Sequence, residues 1–216
     1  MNKTDLKLYA ITDRQWLHGA MLSEHVKLAI EGGATMIQIR DKDILSTDSD
    51  AGLKDEYNEA LEIKRICHEH KVPLIINDNV QFAIDIDADG VHLGQDDMNP
   101  AEARKLLGTD KIIGVTAKTV EQAKKAEADG ADYLGSGAVF GSTTKLNAKP
   151  MTKELLREIT AAVDIPVVAI GGINAGNAVT LKGTGIAGIA VVGAIFASAD
   201  IRAAARELAE ICDKIL

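Results

Sequence analysis

Aromatic side chains are scarce in this sequence, with three Tyr, three Phe and one Trp among 216 residues. That scarcity argues against an aromatic-rich β-sandwich. Nineteen glycines and abundant Ala, Ile and Val instead suit helices packed closely on a parallel sheet. Cysteine is nearly absent. Cys67 and Cys212 lie far apart in helix-like contexts, with no Cys/His spacing of a metal site, and are expected to be buried, reduced thiols. No apolar run approaches the ~20 residues needed to span a bilayer, and MNKTDLKLYAITDR lacks the apolar core of a secretory signal. The expectation is a soluble, cytoplasmic protein with no membrane partner. Basic charge is also in deficit: 24 Lys and Arg against 32 Asp and Glu give a net charge of -8. This argues against a general nucleic-acid binder, which needs clustered cations, whereas a small phosphorylated ligand in a local basic pocket fits. Assembly into a homo-oligomer is left open.

What the chain does have is a repeat. Short apolar runs at 6–12, 35–40, 73–77, 90–94, 111–116, 131–137, 166–171 and 188–193 read as strands. Helical periodicity separates them at 22–32, 51–70, 79–85, 99–107, 119–129, 152–162, 174–182 and 199–214. Asn99-Pro100 and Asn174 are helix-start signals, and EGGAT, ADGAD and GTGIAG each close a helix on Gly before the next strand. Eight such units predict an α/β fold, a single (β/α)8 TIM barrel over residues 1–216. An open doubly wound sheet is the alternative, weakened because no GxGxxG follows the first strand.

In such a barrel the C-terminal ends of the strands face the active site. Strand two ends QIRDK, where alternation places Gln38, Arg40 and Lys42 on one side. A guanidinium fork and an ammonium suit the oxygens of a diphosphate, with a solvated ion-pair stripe as the alternative. Strand three ends in Asn77-Asp78 and strand four leads into Gln95-Asp96-Asp97. Asp78 and Asp97, from neighbouring strands, could together hold one Mg2+ beside a diphosphate, and Asp96 is expected to cap the helix near Pro100. The loop after strand six, VFGSTTK, offers Ser142, Thr143, Thr144 and Lys145 to an anion. Strands seven and eight end with Gly171, Gly172 and Gly193, where barrels often bind phosphate through backbone amides. His92 lies within strand four and reads as a packed or hydrogen-bonded core histidine. No catalytic triad or cysteine nucleophile can be assembled from the strand ends.

With these elements in hand, the chain resembles the thiamine phosphate synthase family. The matching segments run in order over nearly its whole length: YAITDR, QIRDK, IINDN, DGVHLGQDD, IIGVTA, GADYLGSGAVFGSTTK, VVAIGGIN and GIAVVGAIF. The resemblance implies a Mg2+-dependent enzyme that joins a hydroxymethylpyrimidine diphosphate to a (carboxy)thiazole phosphate, releasing diphosphate and forming thiamine phosphate. It implies pyrimidine diphosphate contacts from Gln38, Arg40, Lys42, Asn77, Thr116 and Lys145, with Arg40, Lys42 and Lys145 catalytic. It further implies Mg2+ on Asp78 and Asp97, and thiazole phosphate contacts from Ser142, Thr143, Thr144, Gly172, Val192 and Gly193. Three positions depart from the usual family pattern: Thr116-Ala117-Lys118 replaces Ser-Ala-His, Gly141 replaces a proline, and Gly193 replaces a frequent serine. A thiazole tautomerase-like barrel, which would need a placed general base, and a non-catalytic phosphate-ligand-binding barrel are the alternatives.

Overall fold

The computed structural model describes residues 1–40, 50–141 and 151–216. Eight parallel strands close in sequence order: β1 Leu8–Ile11, β2 Met36–Ile39, β3 Leu74–Asn77, β4 Gly90–Leu93, β5 Ile112–Thr116, β6 Tyr133–Gly137, β7 Val167–Ile170 and β8 Gly188–Val191. Closure is made by β8 on β1, where Leu8 is in register with Ile189 and Tyr9 with Ala190. Each strand falls inside an expected run.

Alternation along the strands divides the core into two layers. Tyr9, Met36, Ile75, Tyr133, Val168 and Ala190 fill the barrel interior. Ile37, Ile76, Val91, Leu134 and Ala169 face outward and pack on Val26, Ile63, Leu156 and Leu208 from the surrounding helices. The helices are α1 Leu22–Glu31, α2 Asp50–His70, α3 Val80–Asp85, α4 Pro100–Leu107, α5 Val120–Ala128, α6 Lys153–Ala162, α7 Gly193–Phe196 and α8 Ile201–Ile215. Thr119, Thr152 and Asp200 accept backbone hydrogen bonds as N-caps of α5, α6 and α8. Both cysteines are buried free thiols, and burial pushes each up to about 12.

One expected helix is not there. The segment 174–182 forms only a 3-10 turn, Ala178–Leu181. Asn174 Oδ1 accepts from the Gly176 amide at 2.9 Å, and Asn177 Oδ1 accepts from the Asn174 amide at 2.9 Å. These bonds hold the start of the segment, and Ala178 N still donates to Asn174 O, but after one 3-10 turn the chain leaves the helical region at Lys182, ψ 132. The end of the expected eighth strand instead turns into α7, which begins at Gly193.

Candidate active site

The end of β1 supports the end of β2. The Thr12 amide donates to Gln38 O at 2.9 Å, and Thr12 Oγ1 accepts from the Arg40 amide at 3.1 Å. Gln38 is buried inside the barrel, and Arg40 sits just beyond the strand. Lys42, expected to share their side, lies outside the described residues.

The run Asn77-Asp78-Asn79 divides three tasks among three residues. Asn77 Nδ2 donates to Asp78 Oδ2 at 2.6 Å. Asp78 turns the chain at φ +60, a left-handed conformation that Asp tolerates better than most residues, and its amide donates to His92 O at 2.9 Å. Asn79 caps α3 by accepting from the Phe82 amide at 2.9 Å. From the next strand, Asp97 Oδ2 accepts from the Gly94 amide at 2.6 Å and its carboxylate meets that of Asp78. Partial burial and this contact push the Asp78 carboxyl up to about 6, against the pull of Asn77 and the Arg40 guanidinium. Asp96 does not cap α4. Asn99 does, accepting from the Ala101 amide at 2.8 Å, because the residue next to Pro100 is the one placed to reach that amide. Two apposed carboxylates, all-oxygen donors beside a guanidinium, fit a hard divalent cation with a polyanion. They form a pair only: no group of three or more His, Cys, Asp or Glu suited to a metal occurs among the described residues.

Beneath this rim lies a polar interior that inspection of the strand ends missed. His92 Nδ1 is 3.0 Å from Tyr133 Oη, and its Nε2 is 3.0 Å from Thr116 Oγ1. Tyr133 Oη is 2.8 Å from Tyr9 Oη, which accepts from Gln38 Nε2 at 2.5 Å. Gln95 Nε2 donates to Thr116 O at 2.5 Å. Two glycines make the room: a Cβ on Gly114 would strike the Tyr133 ring, and one on Gly135 would stand 3.1 Å from His92 Cε1. The inward alternation of Tyr9 and Tyr133 was the available signal. His92 is indeed a hydrogen-bonded histidine of the barrel, and enclosure of its ring pushes its pKa down to about 4.

Across the barrel mouth, Gly171 and Gly172 turn at φ +100 and φ +66. A Cβ on Gly172 would stand 2.8 Å from Phe140 O, so the β6 loop packs directly on this turn. Asn177 Nδ2 holds the turn by donating to Gly172 O at 2.8 Å. On neighbouring β8, Val192 precedes α7 and offers no side-chain cap to its first turn. Ser142, Thr143, Thr144 and Lys145 lie outside the described residues. A cavity of about 360 Å³ between α1 and α8, lined by Trp16, Leu28, Ser198 and Asp200 among others, holds none of these residues.

The family model described as thiamine monophosphate synthase matches residues 8–195. The chain belongs to the thiamine monophosphate synthase family. It is 48% identical over 210 residues to the thiamine-phosphate synthase of Ruminiclostridium cellulolyticum, covering 97% of each chain. It is also 48% identical over 206 residues to that of Clostridium novyi, covering 95% of this chain and 98% of the relative. Among solved structures, thiamine phosphate pyrophosphorylase from Pyrococcus furiosus superposes with a TM-score of 0.87 at 39% identity, covering 99% and 98% of the two chains. The matched residues run from the start of β1 into α7. No helix among the described residues is long and apolar enough to cross a membrane.

Proposed function

We propose that this protein is a thiamine phosphate synthase, an alkyl transferase that condenses an aminopyrimidine-methyl diphosphate with a thiazole phosphate and releases diphosphate. The apposition of Asp78 and Asp97 beside Arg40 and Asn77 carries the reading. That cluster suits a metal-bound diphosphate and has no role in a barrel that merely binds a monophosphate. Gln38 and Thr116 would receive the pyrimidine, and the glycine turns at Gly172 and Val192-Gly193 the thiazole phosphate.

The reaction breaks the bond from the pyrimidine methylene to oxygen, with the electron pair leaving on diphosphate, and forms a new bond from the thiazole nitrogen. Arg40, with Lys42 and Lys145 by family resemblance, would stabilise negative charge growing on the leaving group. Mg2+ on Asp78 and Asp97 would supply further charge neutralisation when bound. The protein's remaining work is alignment of the nucleophile and exclusion of water. No covalent protein intermediate is needed, in keeping with the lack of a triad. The tautomerase alternative asks for a free general base, yet His92 is engaged at both ring nitrogens.

The test is diphosphate release from purified protein with both substrates, with and without Mg2+, repeated with Asp78→Ala. Turnover is expected only with both substrates and Mg2+, and the variant is expected to lose it. Binding of thiazole phosphate by the wild type without turnover would remove the synthase reading.

A further inference from the structure

Five side chains from five strands form one hydrogen-bonded path through the barrel: Gln38 on β2, Tyr9 on β1, Tyr133 on β6, His92 on β4 and Thr116 on β5. Its two ends are the proposed pyrimidine contacts. Its three middle members have no part in the reaction so far described.

The direction of the path follows from donor and acceptor inventory. Gln38 Nε2 can only donate, so Tyr9 Oη accepts from it. The buried Tyr9 hydroxyl has no other acceptor among the described residues, so its proton goes to Tyr133 Oη, and the Tyr133 proton in turn goes to His92 Nδ1. With Nδ1 an acceptor, the neutral imidazole carries its proton on Nε2 and donates it to Thr116 Oγ1. Thr116 has therefore accepted, and its own hydroxyl proton is free to be donated at the barrel mouth. Burial raises both phenol pKa values and lowers that of His92, so each member is uncharged at neutral pH.

We infer that Tyr9, Tyr133 and His92 are positioning residues that set the polarity of the pyrimidine subsite, holding Thr116 as a hydrogen-bond donor and the Gln38 carbonyl as an acceptor. An acceptor and a donor at the two ends of one relay match the edge of an aminopyrimidine, whose amino group donates and whose adjacent ring nitrogen accepts. This specificity rests on the synthase reading; the polarity of the relay does not. The room kept by Gly114 and Gly135 around Tyr133 and His92 is the steric half of the same device.

The polarity is read by long-range 15N–1H correlation on [15N]histidine-labelled protein at neutral pH, with His92 assigned by loss of its signals in His92→Gln. The relay requires a pyrrole-type Nε2 and a pyridine-type Nδ1 in the wild type, with the tautomer no longer fixed in Tyr133→Phe. A proton on Nδ1 overturns the proposal, because Nε2 would then accept from Thr116 Oγ1 and the Thr116 proton would not be available at the barrel mouth. Positioning is read by kinetics. Tyr9→Phe and Tyr133→Phe should each raise KM for the pyrimidine diphosphate about five- to tenfold, the scale of one lost hydrogen bond, and leave KM for the thiazole phosphate unchanged. The double variant should be little worse than either single. Equal rises in both KM values would mark the tyrosines as structural and overturn positioning. If the wild type shows the Nε2 tautomer but no turnover, the synthase reading falls. Affinity for the free aminopyrimidine, compared between wild type and the two variants, then decides whether the relay still orders the subsite.

Discussion

The carboxylate of Asp78 rests against that of Asp97, one at the end of β3 and the other past the end of β4. Two like charges held together oppose folding unless a proton or a cation lies between them. The folded-state pKa of Asp78, about 6, exceeds its ordinary value of 3.8. Between these values the folded chain binds more protons than the unfolded one, so this contact's contribution to stability falls as pH rises from about 4 to 6. Asp78→Asn keeps a residue tolerant of positive φ and removes one charge. In EDTA at pH 7.5 its Tm should stand above the wild type by about 2–4 °C, since solvent screening limits the gain to roughly 1 kcal/mol. Added Mg2+ should raise Tm of the wild type and leave the variant unmoved, while synthase turnover in the variant falls at least about tenfold. Equal Tm responses of both proteins to Mg2+ would remove the metal assignment.

The opposite face of the barrel is built for stability. Arg104 donates to Gly108 O at 3.1 Å, Lys111 O at 2.5 Å and Gly130 O at 3.1 Å, and it pairs with Asp132 at 2.6 Å. One guanidinium thus ties α4 to the loops entering β5 and β6. Arg104→Ala removes the donor from all three carbonyls and leaves Asp132 Oδ2 only the Ile113 amide among the described residues, and should cost about 2–3 kcal/mol in urea unfolding. The kcat and both KM values should be unchanged, because conservation of activity is expected for changes at the N-terminal face of a barrel.

Gly114 is a steric requirement set by a distant residue. A methyl group there would collide with the Tyr133 ring on the adjacent strand. Gly114→Ala should destabilise the barrel by about 1–3 kcal/mol, as overpacking of a close-packed interior does. Tyr133→Phe does not clear the clash, because the ring itself is struck, so the double variant should recover little. Tyr133→Ala in the Gly114→Ala background should recover more, measured as the difference in unfolding midpoints.

The barrel was legible in the sequence because short apolar runs and helical periods alternate eight times, and most strand positions on both faces are apolar. The rim was legible where residue type and strand end coincide, as at Arg40, Asn77, Asp78 and Asp97. Asn99 before Pro100 was legible as a helix start and is the cap of α4, whereas the expectation that Asp96 caps it as well failed, because one side chain fills that place. The Gln38–Thr116 path was not legible, because its links join strands far apart in sequence, such as Tyr9 with Tyr133 and His92 with Thr116. The 174–182 helix failed for a local reason: Asn174 caps the start as expected, but the segment closes only one 3-10 turn before Lys182 leaves the helical region ahead of Gly183 at φ +78.

Thr116 separates the relay from simple bulk, because it stands where the family commonly has serine. It accepts from His92 Nε2 through its hydroxyl, and its backbone carbonyl accepts from Gln95 Nε2. Thr116→Ser keeps both interactions and removes only a methyl, so turnover should stay within about threefold of the wild type, the effect of well under 1 kcal/mol. Thr116→Val keeps the volume and removes the oxygen. It leaves the His92 N–H facing a methyl, at a cost of about 1–3 kcal/mol for an unpaired buried donor, and removes the donor proposed for the pyrimidine. KM for the pyrimidine diphosphate should therefore rise at least about tenfold in Thr116→Val and Tm should fall, while KM for the thiazole phosphate holds. Serine and valine variants with the same KM would mean that the Thr116 hydroxyl does not contact the pyrimidine, whatever its bond to His92.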